Sequence, residues 1–387
     1  MYSPSVLDST TPNPFDKHKK TPIQRRPSTG SLTSESSSSS LETPISYATD
    51  PDDHSSKPLP RTTRQKVDRR PPSTFYLKKR SEMTWDERVC DLATCPPSMH
   101  ELKDENLDRG PVPVQPQWKE NAFVLSRGII PIALQQLSYW AFPNFKWPLA
   151  VAYPFYVGWF IWFALQVVWR MNHYCVKFGT FDEKQIGRDR TPDKSVRHLA
   201  VGVTTYMFVR TGFTFYLHYY KEAQPLLSFT WMFPLKLAAW EITLDYFFYC
   251  YHRASHDVDW LWFIHKHHHT TKHPTAILAI IAEEYQEVLE IFLIPLLATL
   301  LVPMTFSEMY MTLCYTIYVE MLGHSGVRAH WTHPVLFFLE PLGMGLAVED
   351  HDIHHRFGKS GKNYCKQTRI FDKLFGTCAE RIETFGM

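Results

Sequence analysis

Eight histidines fall into three groups whose spacing is that of metal ligands on helices. His252 and His256 stand at i and i+4. His265, His268 and His269 stand at i, i+3 and i+4, and His351, His354 and His355 repeat that pattern near the C-terminus. On a helix these offsets place side chains on one face, one turn apart. Neutral imidazole is the commonest protein metal ligand and suits zinc, copper and iron alike. A zinc site uses three or four protein ligands, so eight candidate nitrogens exceed one zinc and suit two metals. The stretch Tyr251 to His269 alone carries six of the 19 histidines. Threefold repetition beside long apolar segments is not the pattern of scattered surface histidines, which is the reading given to His18, His54, His100 and His173.

The elements that would position these boxes are membrane-like. Leu149 to Trp169 has no charged side chain over 21 positions, long enough at about 1.5 Å per residue to cross a bilayer core of about 30 Å. Trp and Tyr near its ends are placed as interfacial anchors. A second span is expected over Leu199 to Leu217, which includes Arg210. A third is expected from Pro225 to Tyr251, carrying Lys236, Glu241 and Asp245. Charges inside spans cost about 2.5–3.5 kcal/mol each at the bilayer centre and face the bundle interior or a site. Asp245 lies two helical turns before His252 on the same face. It is placed either to hydrogen-bond a ligand histidine or to make an ordinary interior polar contact. Residues 129–143, apolar and interrupted by Pro131, read as a re-entrant or interfacial helix. Residues 275–290, with Glu283, Glu284, Glu287 and Glu290, read as a helix at the membrane boundary. Ile291 to Pro303 and Met309 to Leu322 read as an apolar hairpin, and the polar remainder from Gly323 to Met387 as lying outside the bilayer.

The chain has 387 residues, 41 Lys and Arg against 39 Asp and Glu, and a net charge of +2. That balance gives no handle for nucleic-acid binding. Residues 1–115 are rich in Ser, Thr, Pro and charge and read as a disordered tail, leaving 116–387 as the catalytic domain. The tail's basic clusters (Lys17, Lys19, Lys20, Arg25 and Arg26; then Arg69, Arg70, Lys78, Lys79 and Arg80) are candidates for anionic lipid headgroups. Arg25-Arg26-Pro27-Ser28 is a candidate phosphorylation site. In both cases a plain solvated tail is an equal alternative. The N-terminus carries no apolar signal-peptide core. Seven scattered cysteines without a CxxC pair suggest reduced thiols on a cytosolic face. Nucleotide-binding glycine loops and a GxSxG elbow are missing from the sequence.

The ordered set His252-x3-His256, His265-x2-His268-His269, Gly323-His324-Ser325-Gly326 and His351-x2-His354-His355 resembles the membrane-bound fatty acid hydroxylase/sterol desaturase superfamily. The resemblance covers Leu149 to Thr377 and extends to His252-Arg253, His265-Lys266, Asn363-Tyr364 and Phe371-Asp372-Lys373-Leu374-Phe375-Gly376-Thr377, similar to a closing NYG…WDRLFGT. Cys365 stands where glycine is frequent and Phe371 where tryptophan is. Glu287-Val288 falls where sterol-oxidising members often carry His-Pro. The Gly-His-Ser-Gly match selects His324 as ninth ligand over His330 and His333.

The resemblance implies an all-α, multi-span membrane bundle of four helices with a cytosolic helical cap carrying the boxes. It implies two non-haem irons held by His252, His256, His265, His268, His269, His324, His351, His354 and His355, using O2 to oxidise a lipid C–H bond. No haem, flavin or nicotinamide fingerprint is present in the sequence, so cytochrome b5 and its reductase are the implied electron donors. The implied location is the endoplasmic reticulum membrane, with the boxes facing the cytosol. Gly-His-Ser-Gly and the short first box favour a sterol-like substrate (C-4 methyl oxidation or C-5 desaturation) over fatty acyl or sphingolipid hydroxylation. A zinc-dependent membrane hydrolase or metal-handling protein, and a non-catalytic lipid-binding relative, are the competing classes. Asp257, Asp259, Glu349, Asp350 and Asp352 flank the boxes and are candidates to orient imidazoles, though each alone reads better as a solvent-exposed charge.

Overall fold

The computed structural model describes residues 70–102, 108–182, 186–280 and 288–384, all within one compact unit, Gln65–Met387. The expectations for residues 1–69, and for Glu283, Glu284 and Glu287, lie outside the described residues. The described chain is all-helical. In order it forms α1 (Trp85–Asp91), α2 (Gln117–Ala141), α3 (Leu149–Phe178) and α4 (Val196–Thr205). A π-helical turn (Tyr206–Arg210) leads into α5 (Thr211–His218), followed by α6 (Phe233–Asp257) and α7 (Asp259–His265). A second π-helical turn (Val288–Leu293) leads into α8 (Ile294–Leu301), then α9 (Phe306–Ser325), α10 (Val348–Phe357) and α11 (Ile370–Leu374). Extended pairing among the described residues is limited to isolated bridges such as Val114 with His330.

Helix α9 is the axis. Its start is fixed by a capping box: the Glu308 N–H donates to Thr305 Oγ1 (3.3 Å) and the Thr305 N–H to Glu308 Oε2 (3.1 Å). Its end is fixed by Gly326 in the left-handed region (φ 65°), where a Cβ would collide with the Arg188 guanidinium. The glycine that closes Gly-His-Ser-Gly is therefore a helix terminator. Nearly every residue between is buried, and α9 touches α2, α3, α5, α6 and α10. A helix apolar all round belongs in the middle of a bundle.

Around this axis the outer helices are inverted relative to a water-soluble protein. Helix α2 turns Glu120, Gln135 and Gln136 inward and Trp118, Leu125, Ile130, Leu134, Leu137 and Trp140 outward. Glu120 is held by Arg170 (2.8 Å), Tyr174 (2.7 Å) and Tyr318 (2.8 Å), joining α2, α3 and α9. Helix α3 is the one described helix long and apolar enough to cross a membrane by length and composition. At 30 residues it would reach about 45 Å.

Several expectations shift. The segment read as interfacial, 129–143, is the second half of a 25-residue helix. The expected span Leu199–Leu217 is a helix interrupted by a π turn, in which Arg210 is buried against the Trp240 ring, 5.8 Å from its centroid. The expected span Pro225–Tyr251 begins as a helix only at Phe233 and runs on through the first histidine box. The apolar hairpin is α8 and α9, joined by Val302–Thr305.

The domain boundary near residue 115 is also moved. Residues 70–102 and 108–115 are folded onto the helical body through Phe75, Met83, Cys90, Ala93, Cys95, Met99 and Val112, all buried. The Gln115 N–H donates to the His330 carbonyl (2.7 Å) and the His330 N–H to the Pro113 carbonyl (2.9 Å). Arg70, read as a candidate headgroup contact, donates to the carbonyls of Arg188 (2.8 Å) and His100 (2.7 Å). Few but well-placed apolar residues order a segment whose average composition reads as disordered.

Candidate metal centre

Four elements converge. Helix α6 ends with His252 and His256. Helix α7 ends with His265, and a 3-10 turn follows with His268 and His269. Helix α9 ends with His324, and α10 carries His351, His354 and His355. All nine are buried, and their ligand nitrogens form two groups, each with its nitrogens within 4.8 Å of one another. His252, His256, His265, His269 and His354 make one group; His268, His324, His351 and His355 make the other. His330 and His333 lie outside both. His333 Nδ1 accepts from the N–H groups of Val335 and Leu336 (3.2 Å each).

The expectation that each box occupies one face is corrected. Successive helical residues point about 100° apart, so His354 and His355 diverge. His351 and His355 serve one group and His354 the other. In the second box α7 stops at His265, and the following turn sends His268 and His269 to different groups. Two boxes are thus divided between two sites, while the first serves one.

Four close nitrogen pairs define the geometry. Nε2 of His324 lies 2.8 Å from Nε2 of His351 and 3.3 Å from Nε2 of His268; Nε2 of His269 lies 3.1 Å from His265 and 3.2 Å from His354. All four pairs fall within a group. Two nitrogens bound at right angles to one ion at about 2.1 Å would stand about 3.0 Å apart.

The protonation pattern agrees. Nδ1 of His252 donates to the Tyr364 carbonyl (2.7 Å), His256 to Lys359 (3.2 Å), His354 to Lys362 (2.8 Å), His355 to Thr271 (3.2 Å) and His324 to Glu320 (2.9 Å). A proton fixed on Nδ1 leaves the Nε2 lone pair facing the cluster. Nε2 of His252, His256 and His355 is buried with no hydrogen-bond partner, and His324 and His354 meet other imidazoles. Lone pairs gathered in this way fit a cation between them.

Burial, followed by the neighbouring imidazoles, holds His252, His265, His269 and His351 well below the ordinary histidine range, so these imidazoles are neutral and able to act as ligands. Burial also brings His256 down to about 4. A histidine kept neutral in the fold adds no penalty above its unfolded pKa, about 6.5. Below that, the unfolded chain takes up protons that the fold refuses, and each such group removes about 1.4 kcal/mol per pH unit until its folded pKa is reached. Metal-free protein is therefore expected to melt at steeply lower temperature as pH falls from 7 to 5. Thermal melting of chelator-stripped protein across that range checks this; a flat profile contradicts it.

Backbone carbonyls, not carboxylates, orient the imidazoles. One loop after α10 supplies three of them, Lys359, Lys362 and Tyr364. Its path needs Asn363 at φ 63° and Gly361 tight against the His354 carbonyl, where a Cβ would come within 2.7 Å. Asp372 holds the loop by accepting from the Tyr364 and Cys365 N–H groups (2.9 Å each). Asp245 resolves as the interior contact: it accepts from the N–H groups of Lys366 (2.8 Å), Gln367 (3.0 Å) and Thr368 (3.0 Å), and touches no histidine. None of the five flanking acids bonds an imidazole. Asp257 and Asp259 are exposed, paired with Arg253 and Lys359. Glu349, Asp350 and Asp352 are buried; the first accepts from Glu383 and Thr384 N–H groups and the second pairs with Arg381 (2.7 Å).

Arg188 and Asp189, which no spacing pattern in the sequence marks out, prove central. Arg188, fully buried, pairs with Asp352 (2.6 Å) and donates to the carbonyls of Pro274 (2.8 Å) and Phe181 (3.1 Å). Asp189 accepts from the N–H groups of Lys272 (2.6 Å) and His273 (2.8 Å). Together they tie the segment after the second box to α10. His100, read as a surface histidine, is instead buried, and its Nδ1 donates to the Arg188 carbonyl (2.9 Å).

A small cavity of about 70 Å³ lies between both π turns, α6 and α9, lined by Leu244, Phe248, Ile291 and Ile317 together with Arg210, Glu290 and Glu320. The Phe248 ring lies 5.4 Å from that of His252.

Comparisons with known proteins match the region that holds the site. The sequence profile described as Fatty acid hydroxylase matches residues 237–377, which hold all nine histidines. Fatty acid hydroxylase vlmA of Lecanicillium sp is 34% identical over 301 residues, covering 70% of this chain and 80% of that protein. A Dictyostelium discoideum protein carrying a methylsterol monooxygenase name is 32% identical over 157 residues, 40% of this chain and 54% of the relative. A cholesterol 25-hydroxylase-like protein of Danio rerio is 29% identical over 167 residues, 41% and 60% of the two chains. No solved structure matches. With its histidine clusters inside the matched region and a relative matched over most of its length, the chain belongs to the fatty acid hydroxylase family.

Proposed function

We propose that the two histidine groups hold two non-haem irons and that the protein hydroxylates or desaturates a C–H bond of a sterol-like lipid in the endoplasmic reticulum membrane. The observation that carries this reading is the pair of convergent, buried, neutral imidazole sets. The five-nitrogen group exceeds a tetrahedral zinc site, which takes four ligands, and imidazole suits iron. Bound iron would supply the redox chemistry that O2 requires. Hydroxylation consumes one O2, two electrons and two protons, converting C–H to C–OH and releasing one water. Desaturation uses the same inputs, removes two hydrogens and releases two waters. Cytochrome b5 and its reductase are the electron donors in this reading.

The chain's own residues bind and orient. The Phe248 ring, 5.4 Å from that of His252, offers an apolar surface beside the first box that would help position a hydrocarbon and exclude water. The outward apolar side chains of α2 and α3 support a multi-pass setting from which a lipid enters sideways. Lipid analysis of cells lacking the protein tests the assignment. Accumulated methylated or more saturated sterols are expected, restored by the wild-type protein and not by His268→Ala. Unchanged sterols with a lost hydroxy-acyl product would instead favour fatty acyl hydroxylation. The 34% identity to a protein named fatty acid hydroxylase favours that second reading.

A further inference from the structure

An apolar cavity of about 240 Å³ lies away from the histidines and has no task in the account so far. It is bounded by Val89 of α1, Ala164 and Val168 of α3, Val203 of α4, Phe208 of the first π turn and Met321 of α9. Among the described residues, no cluster histidine and no charged side chain lines it. Thr204, the one polar residue on the described wall, donates its hydroxyl to the Ala200 carbonyl (2.7 Å). The wall therefore offers nothing to a polar ligand, and a void lined in this way takes an apolar guest. Left empty, it would weaken the fold in proportion to its volume.

The cavity runs inward from the surface of a membrane-like helix. Leu92 and Phe208 on its wall are 42% and 45% exposed, whereas Val168 and Met321 are each 1% exposed. Helix α3, which supplies one side, is long and apolar enough to cross a membrane. The Trp169 indole N–H donates to the Leu92 carbonyl (3.0 Å), and Trp169 ends the uncharged stretch just before Arg170. An indole in that place marks a bilayer interface, so the opening beside Leu92 stands where acyl chains begin.

We infer that this cavity holds one acyl chain of a membrane phospholipid, at a site separate from the histidine centre. Volume sets the class. A cavity of about 150 Å³ in another protein takes benzene, so 240 Å³ corresponds to about ten carbons of chain. That is one acyl segment, and it falls short of the fused rings of a sterol. The N-terminal tail is a poor alternative occupant, because residues 1–69 contain, prolines aside, no more than two apolar residues in a row. Seated there, the acyl chain fastens α1 to α3 and α9.

The test uses the full-length protein in a bile-salt detergent, whose rigid rings do not fit the cavity. The probe is decanoyl lysophosphatidylcholine, read by native mass spectrometry and by thermal melting. Its butanoyl counterpart tests the headgroup alone, and cholesterol serves as competitor. Wild type is expected to retain one decanoyl lipid per chain and to melt at higher temperature as that lipid is added, with little response to the other two. Ala164→Phe and Ala93→Leu, both wall positions, fill the cavity. Each is expected to weaken retention about tenfold or more, the loss from excluding two methylene groups. Without lipid both are expected to melt no lower than wild type, which shows that they fold. His268→Ala is expected to retain the lipid. No retained lipid, equal retention of the butanoyl lipid, displacement by cholesterol, or undiminished retention in both filled variants overturns the inference. Loss of the lipid in His268→Ala overturns it as well, by placing the chain at the histidine centre. Iron-free wild type that still retains the lipid supports this inference while contradicting the iron proposal.

Discussion

Replacing His324 by alanine is expected to reduce bound iron from about two to about one per chain and to lower lipid oxidation by more than about 100-fold, since loss of a partner that merely orients a ligand already costs 10–100-fold. His324 belongs to the smaller group, and its Nε2 stands 2.8 Å from that of His351 and 3.3 Å from that of His268. No neighbour can replace it, because it projects from the last turn of α9 and Gly326 ends that helix. His330→Ala and His333→Ala, at the two positions outside the clusters, are expected to keep both irons. Metal analysis and turnover of the three variants decide the matter. Full metal and activity in His324→Ala, or loss in His333→Ala, contradicts the ligand assignment.

Asp352→Ala is expected to destabilise the protein by about 3–5 kcal/mol, the cost of leaving a buried charge without its partner. Arg188 and Asp352 are both fully enclosed and 2.6 Å apart. The pair fastens α10, with three histidines, to the segment that follows the second box. Removing the carboxylate strands the guanidinium and releases both segments, so iron retention is expected to fall with the melting temperature. Asp257→Ala is the control. Its pair with Arg253 is exposed, and exposed pairs contribute about 0–1 kcal/mol. Melting in detergent compares the two variants. Equal, small shifts would show that the Arg188–Asp352 pair does not hold the site.

The parts of this site legible in the sequence are those set by local periodicity. Eight histidines stand out by helical spacing alone, and His324 by its Gly-His-Ser-Gly setting. What spacing does not reveal is that a 100° step between neighbours divides His268 from His269, and His354 from His355. Nor does it reveal the orienting groups. Nearby acids look suited to hold imidazoles, yet the work falls to backbone carbonyls of Lys359, Lys362 and Tyr364, which have no side-chain signature. The available signals were Gly358 and Asn363, both at positive φ, and Gly361, where the backbone packs too closely for a Cβ. Arg188 was hidden among other basic residues because its partner lies 164 positions away. Residues 70–102 and 108–115 misled by average composition, since a handful of apolar anchors suffices when a folded body is there to receive them.

Metal content with Mössbauer spectroscopy on iron-57-grown, purified wild-type protein tests the central claim most directly. Two irons per chain, in two nitrogen-rich environments of unequal ligand number, is the predicted result. One zinc per chain, or no stoichiometric metal even after anaerobic reconstitution with ferrous iron, would contradict it.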